Sequence, residues 1–236
     1  MKIFKRIIIA VLILLLVLFF ILFFIGFGYY SNVLKEKPLV NRINEITSKE
    51  HFVKIDDISK NYLNAVIAVE DHRYYDHGPV DFIAIMRAIF TNLKESDFQE
   101  GGSTITQQVS KNVLFNQERT LARKLGEIFG AYDLEKNYSK NEVLELYVNT
   151  CYFGEGYYGI YEASMGYFKK EPKDLTLYEA SLLAGIPNAP SVYNPVANPE
   201  LCKQRQKTVL GCMVKYGYIN ESDKSNVLDE ATTISH

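Results

Sequence analysis

From Ile7 to Phe27 the chain runs for 21 residues without a charged or strongly polar side chain, and nothing else in the sequence constrains it as much. Helical residues rise ~1.5 Å each, so about twenty of them span the ~30 Å hydrocarbon core of a bilayer. Lys2, Lys5 and Arg6 precede the run, and Tyr29 and Tyr30 follow it. A basic flank stays in the cytoplasm and aromatics settle at the interface, so we expect a single pass through the cytoplasmic membrane with everything after Tyr30 outside. A cleaved signal peptide competes with this reading, but its apolar core is ordinarily ~7–15 residues and ends in a small-x-small site. Gly26-Phe27-Gly28 imitates that site poorly, and a retained anchor is expected.

The remaining length suits one good-sized domain, the whole chain being 236 residues. A net charge of -2 without a long basic block gives no support to nucleic acid as a partner. Cys151, Cys202 and Cys212 are scattered and odd in number, with neither the paired spacing nor the neighbouring histidines of a zinc site. Neither a disulfide framework nor a structural metal is expected.

Four parts are expected along the chain: a cytoplasmic tip with the transmembrane helix (1–30), a polar stalk (31–57), a domain (58–219) and a C-terminal tail (220–236). Within the domain the periodicity is helical. Leu63, Val66, Ile67 and Glu70 share one face, and Leu121, Leu125, Ile128, Phe129 and Tyr132 form another stripe. Further helices fit Asn141–Asn149, Leu177–Gly185 and Pro199–Tyr216, with prolines 187, 190, 195 and 199 breaking the chain before the last. Strand patterns are scarce, so the fold class expected is mainly α.

Glu70 closes the apolar stretch Ala65–Val69. A desolvated carboxylate is a better base if a substrate proton lies within reach; the alternative is a buried Glu paired with Arg73 or Arg87. The segment Gly101-Gly102-Ser103-Thr104-Ile105-Thr106-Gln107-Gln108-Val109-Ser110-Lys111-Asn112 leads from glycines into a helix. Free amides at such a helix start favour an anion, and Thr104, Gln107, Gln108 and Lys111 make a polar stripe at helical spacing. That describes a pyrophosphate cradle, or else a capped helix with a solvated polar face. Gly-Lys-Ser/Thr is absent, so nucleoside triphosphates have no support. Arg119, Arg123 and Glu127 follow at i, i+4 and i+8 with Lys124 beside them, either a cationic binding face or exposed intrahelical ion pairs. Together, a base, an anion cradle and a cation-rich helix suit transfer from a phosphorylated donor.

These segments resemble the bacterial peptidoglycan glycosyltransferases of glycosyltransferase family 51, found alone or as the amino-terminal domain of class A penicillin-binding proteins. Glu70-Asp71-His72-Arg73-Tyr74-Tyr75-Asp76-His77 is similar to the first motif of that family and Gly101–Asn112 to the second. Arg123-Lys124-x-x-Glu127 is similar to the third, and Glu145-x-Tyr147-x-Asn149 with Gly154, Gly156, Gly159 and Ile160 to the fourth. The resemblance implies a lysozyme-like helical lobe with a smaller membrane-proximal lobe. It implies Glu70 as the general base toward the 4-hydroxyl of the acceptor N-acetylglucosamine and Glu127 as the second essential carboxylate. Arg87, Gly102, Ser103, Thr104, Gln107, Gln108, Lys111, Arg119, Arg123, Lys124 and Asn149 are the substrate-binding residues expected. The implied reaction polymerises lipid II onto a growing lipid-linked glycan strand, forming a β-1,4 link with inversion and releasing undecaprenyl pyrophosphate. No cofactor is required for it, and a divalent cation, Mg or Mn, is the one auxiliary expected at the pyrophosphate. Other cell-wall synthesis proteins are the partners such a role would bring.

Some positions depart from the family pattern: His72 stands where Arg is usual, Pro79 where Gly is usual and Lys169 in place of Gly. The thiol of Cys151 is expected to be exposed and has no role in this reading. A transpeptidase would need Ser-x-x-Lys, which does not occur here, so that activity is not expected. A lysozyme-like glycan-cleaving enzyme also uses two carboxylates, without needing an anion cradle. A non-catalytic, membrane-tethered glycan-binding protein is the third reading, against which stand Glu70, Glu127 and Lys111 together.

Overall fold

The structure, a computed structural model, describes residues 2–94, 102–116 and 118–233. Among the described residues the first helix, α1 (Lys2–Glu36), is the one helix long and apolar enough to cross a membrane, and its apolar run is largely exposed. After it come α2 (Leu39–Thr47), α3 (Lys60–Glu70), α4 (Phe82–Lys94) and α5 (Ile105–Leu114). Next are α6 (Leu121–Asn137), α7 (Lys140–Thr150) and α8 (Gly159–Phe168). The chain closes with α9 (Leu177–Gly185), α10 (Pro199–Lys215) and α11 (Glu221–Thr233). Among the described residues the β-structure is a single bridge between Tyr152 and Tyr158, so the fold is mainly α.

Local chemistry explains where the helices start. Thr104, Ser139 and Thr176 each accept from the backbone N–H three residues on, while Gln107, Glu142 and Glu179 return a side-chain acceptor to the cap. Such capping boxes satisfy two otherwise orphaned amides. Pro199 opens α10, where its missing N–H loses nothing. Tyr62, Tyr74, Tyr147, Phe153, Leu144, Leu183 and Leu210 fill the centre of the core.

One expectation is corrected. Residues 31–57 are not a polar stalk: α1 continues to Glu36, and Leu39 and Ile43 of α2 enter the core with Val53. Apolar residues four apart make α2 amphipathic, and that signal was hidden among charges. At the two ends of the stripe on α6, Leu121 is 63% and Tyr132 51% exposed. The buried face of α6 is Gly126, Glu127, Gly130, Ala131 and Leu134.

Part of that stripe meets α1. Phe129 stands edge-on to Phe23 and Phe27 and stacks on Tyr30, while Tyr30 donates to Asp133 at 2.5 Å. A Cβ on Gly26 would lie 2.6 Å from Leu125 Cβ, so the bare glycine is what lets the two helices approach. The end of the apolar run is thereby packed onto α6, the helix that carries Glu127.

Candidate active site

A cleft of about 590 Å³ opens where α3, α5, α6 and α10 converge. Glu70, the last residue of α3, reaches it with a side chain only 9% exposed. Its Oε2 accepts from Gln108 Nε2 at 2.8 Å. Its Oε1 is buried without a hydrogen-bond partner among the described residues and faces Arg205 Nη2 at 3.5 Å. The partner is therefore neither Arg73, which binds Asp81 in a fork, nor Arg87, which donates to His72 Nε2 at 3.3 Å.

Glu127, 1% exposed, occupies the opposite electrostatic position. Arg123 Nη1 pairs with its Oε1, and Lys124 Nζ lies 2.9 Å from its Oε2. Lys124 also donates to Ser103 Oγ at 2.8 Å, tying α6 to the segment that leads into α5. Both Glu127 oxygens are held by cations, so this carboxylate organises positive charge.

Of the residues expected to bind substrate, Arg87, Ser103, Gln107, Gln108, Lys111 and Lys124 line the cleft together with Glu70 and Glu127. Arg123 touches the site through Glu127. Arg119 is exposed and precedes the N-cap Thr120, so the row with Arg123 and Glu127 is broken. Asn149 lies elsewhere, its side-chain amide closing on both backbone groups of Val53 at 2.9 and 2.8 Å. Gly102 packs against Ile85 and Ala88, and Gly101 falls outside the described residues.

The start of α5 is also differently used than its sequence suggests. Ile105 N–H goes to Asp71 Oδ2 at 3.1 Å, and Gln107 N–H goes to the Thr104 hydroxyl at 3.1 Å. Amides already satisfied in this way cannot cradle a phosphate, and the charged side chains at the cleft are Lys111, Lys124, Arg205, Arg87 and Lys215 against the carboxylates Glu70, Asp71 and Glu127. The Thr104 hydroxyl in turn donates to the backbone carbonyl of Pro79 at 2.7 Å, a contact that does not depend on the proline side chain.

His72 stacks on Tyr216, with centroids 4.1 Å apart and planes 12° from parallel. Burial and the neighbouring Arg87 hold its pKa below the ordinary imidazole value, consistent with Nε2 accepting from Arg87. Cys151 is 3% exposed, contrary to expectation. Burial pushes its thiol up to about 12, so it is inert near neutrality.

Among the described residues, Asp71, His77 and Asp81 form the grouping that could hold a metal. Their donors are already committed: His77 Nε2 to Asp71 at 2.7 Å, Asp71 to Ile105 N–H, and Asp81 to Arg73 and the amides of Ile83 and Ala84. This set does not fit a divalent cation, which needs several free oxygens, and the cleft carboxylates Glu70 and Glu127 face cations.

What the sequence reading missed lies on α10 and just beyond it. Arg205, Thr208, Cys212 and Lys215 line the cleft at spacings of three, four and three, followed by Tyr216. The same helical spacing that singles out Thr104–Lys111 was available there.

A family profile described as transglycosylase matches residues 37–214. The chain is 46% identical over 182 residues to penicillin-binding protein 1A of Neisseria flavescens, covering 77% of this chain and 23% of that protein. It is 45% identical over 177 residues to penicillin-binding protein 1F of Bacillus subtilis (strain 168), covering 75% and 25%. The chain thus spans about a quarter of the length of these relatives. A crystal structure of penicillin-binding protein 1A from Haemophilus influenzae aligns with a TM-score of 0.46 at 23% identity, over 76% of this chain and 17% of that one.

Proposed function

The chain belongs to the transglycosylase family, and from that premise we propose that it is a membrane-anchored peptidoglycan glycosyltransferase that polymerises lipid II. The observation that carries the reading is Glu70, whose one oxygen is fixed by Gln108 while the other is buried and unbonded beside the cleft. A base placed in this way accepts a hydroxyl proton from a bound sugar. The acceptor 4-hydroxyl gives its proton to Glu70 Oε1 and its oxygen attacks the donor's anomeric carbon. The bond from that carbon to the pyrophosphate breaks with inversion, and the leaving group carries off the electron pair. Lys111 and Lys124, with Arg123 behind Glu127, meet the charge that develops on the phosphate.

Both substrates in this reading are lipid-linked, and the anchor supports it. The apolar run ends in contacts with Leu125 and Phe129, so α1 is read as a retained part of the folded protein, amino terminus in the cytoplasm and cleft outside. The experiment is incubation of the detergent-solubilised chain with labelled lipid II and separation of products by size. Glycan polymer without muropeptide fragments is expected. Fragments released from preformed glycan, with no polymer, would move the chain to the cleaving enzymes.

A further inference from the structure

Glu70 is held from two sides, and the second hold comes from a helix that the motif reading did not use. Arg205 Nη2 lies 3.5 Å from Glu70 Oε1, too loosely directed for a hydrogen bond yet close enough for charge to act. The guanidinium is itself fixed. Arg205 Nε donates to the carbonyl of Gly185 at 3.4 Å, and the group stands 5.6 Å from the ring centroid of Tyr193. Its aliphatic stem runs over the bare face of Gly185, where an added Cβ would come within 2.8 Å of Arg205 Cγ. Both members of the pair are largely shielded, at 15% and 9% exposed, so water screens their interaction little.

We propose that Arg205 is a positioning residue for proton transfer, setting a fixed positive charge beside the Glu70 carboxylate and keeping its Oε1 turned to the acceptor while leaving that oxygen free of a hydrogen bond. The inference rests on the reading of Glu70 as the base. A hydrogen bond from Arg205 would occupy the lone pair that has to take the proton. A cation held just outside bonding range favours the charged form without doing so.

Other charges face Glu70 as well. Lys111 lies on α5 and Lys215 on α10, with Asp71, His72 and Arg87 lining the same cleft. Behind Glu70 sit Tyr62, Tyr147 and Cys151, whose burial keeps all three neutral across the working range. The titration of His72 is common to the wild type and every variant, so differences between profiles isolate Arg205.

The test is lipid II polymerisation as a function of pH by the wild-type chain, Arg205→Gln and Arg205→Lys, each first shown to be folded by its melting curve. Arg205→Gln is expected to lower kcat by ~10- to 100-fold at neutral pH with KM within about twofold. The acidic limb of its kcat profile is expected to move up by ~1 pH unit or more. Arg205→Lys retains the charge but not the anchoring at Gly185 and Tyr193, so its limb stays while kcat falls several-fold. A raised KM with an unmoved limb in the Gln variant makes Arg205 a substrate contact and overturns the proposal. If the Gln variant does not fold, an unchanged kcat in the Lys variant overturns it. Absence of polymer from the wild type contradicts the proposed function instead, which keeps the two failures apart.

Discussion

Gln108 donates to Glu70 Oε2 at 2.8 Å across 38 residues of sequence, joining the second motif to the first through one hydrogen bond. The polar stripe of α5 is therefore not simply a solvated face. It fixes one oxygen of the carboxylate and leaves the other for chemistry.

Lys111 lines the cleft and, among the described residues, is not one of the cations paired with a carboxylate. Its ammonium is available to a phosphate. Lys111→Ala is expected to weaken binding of moenomycin, the phosphoglycolipid inhibitor that the family resemblance brings with it, by roughly ten- to a hundredfold, the loss of one charge-assisted contact. Titration of the folded variant by fluorescence anisotropy checks this, and unchanged affinity would show that Lys111 takes no part in anion recognition.

Glu127→Gln should fail differently from a change at Glu70. The carboxylate neutralises Arg123 and Lys124, and Lys124 reaches Ser103 from the same position. Without it the two cations spread, so kcat is expected to fall by at least ~10-fold and inhibitor affinity to change as well. Parallel kinetics and binding on one preparation separate the two effects.

Much of this site was legible because its residues sit in short motifs. Glu70, Gln108, Lys111, Lys124 and Glu127 stand at helical spacings that put them on one side of α3, α5 or α6. Arg205 was not legible in that way, since its partner lies 135 residues earlier and only tertiary packing brings α10 against α3. Asn149 misled for the converse reason. Its place beside motif residues suggested the cleft, whereas its side-chain amide is taken by the backbone of Val53 and the carbonyl of Glu145. The buried face of α6 was missed because glycines and a glutamate carry it, while Leu125 and Phe129 meet α1.

Lys169 ends α8 in the left-handed conformation, φ 57° and ψ 35°, where the family pattern has glycine. A residue with a Cβ is disfavoured there by ~1–2 kcal/mol, while glycine loses ~0.5–1 kcal/mol through greater freedom of the unfolded chain. Lys169→Gly is thus expected to stabilise by ~0.5–1 kcal/mol, read as a higher denaturation midpoint. Activity should be unaffected, since the residue is absent from the cleft lining.

His77 makes stability depend on pH. Burial opposes its charge, but the hydrogen bond to Asp71 and the carbonyl of Gly78 outweigh that and raise its pKa. A group raised on folding contributes fully below its unfolded pKa of ~6.5 and loses that contribution as pH rises through the folded value. His77→Gln should therefore cost more stability at about pH 5.5 than at about pH 9. Chemical denaturation at the two pH values checks the sign; an equal or larger loss at the alkaline value would contradict it.

The general-base assignment is tested most directly by the initial rate of lipid II polymerisation by Glu70→Gln. Glutamine keeps the shape of the side chain and a partner for Gln108 but cannot accept the hydroxyl proton. Turnover is expected to fall by ~10²–10⁴-fold, while moenomycin affinity and melting temperature stay close to the wild type. Polymerisation at a near wild-type rate by the folded variant would contradict the assignment of Glu70 as the base, and with it the mechanism proposed for this cleft.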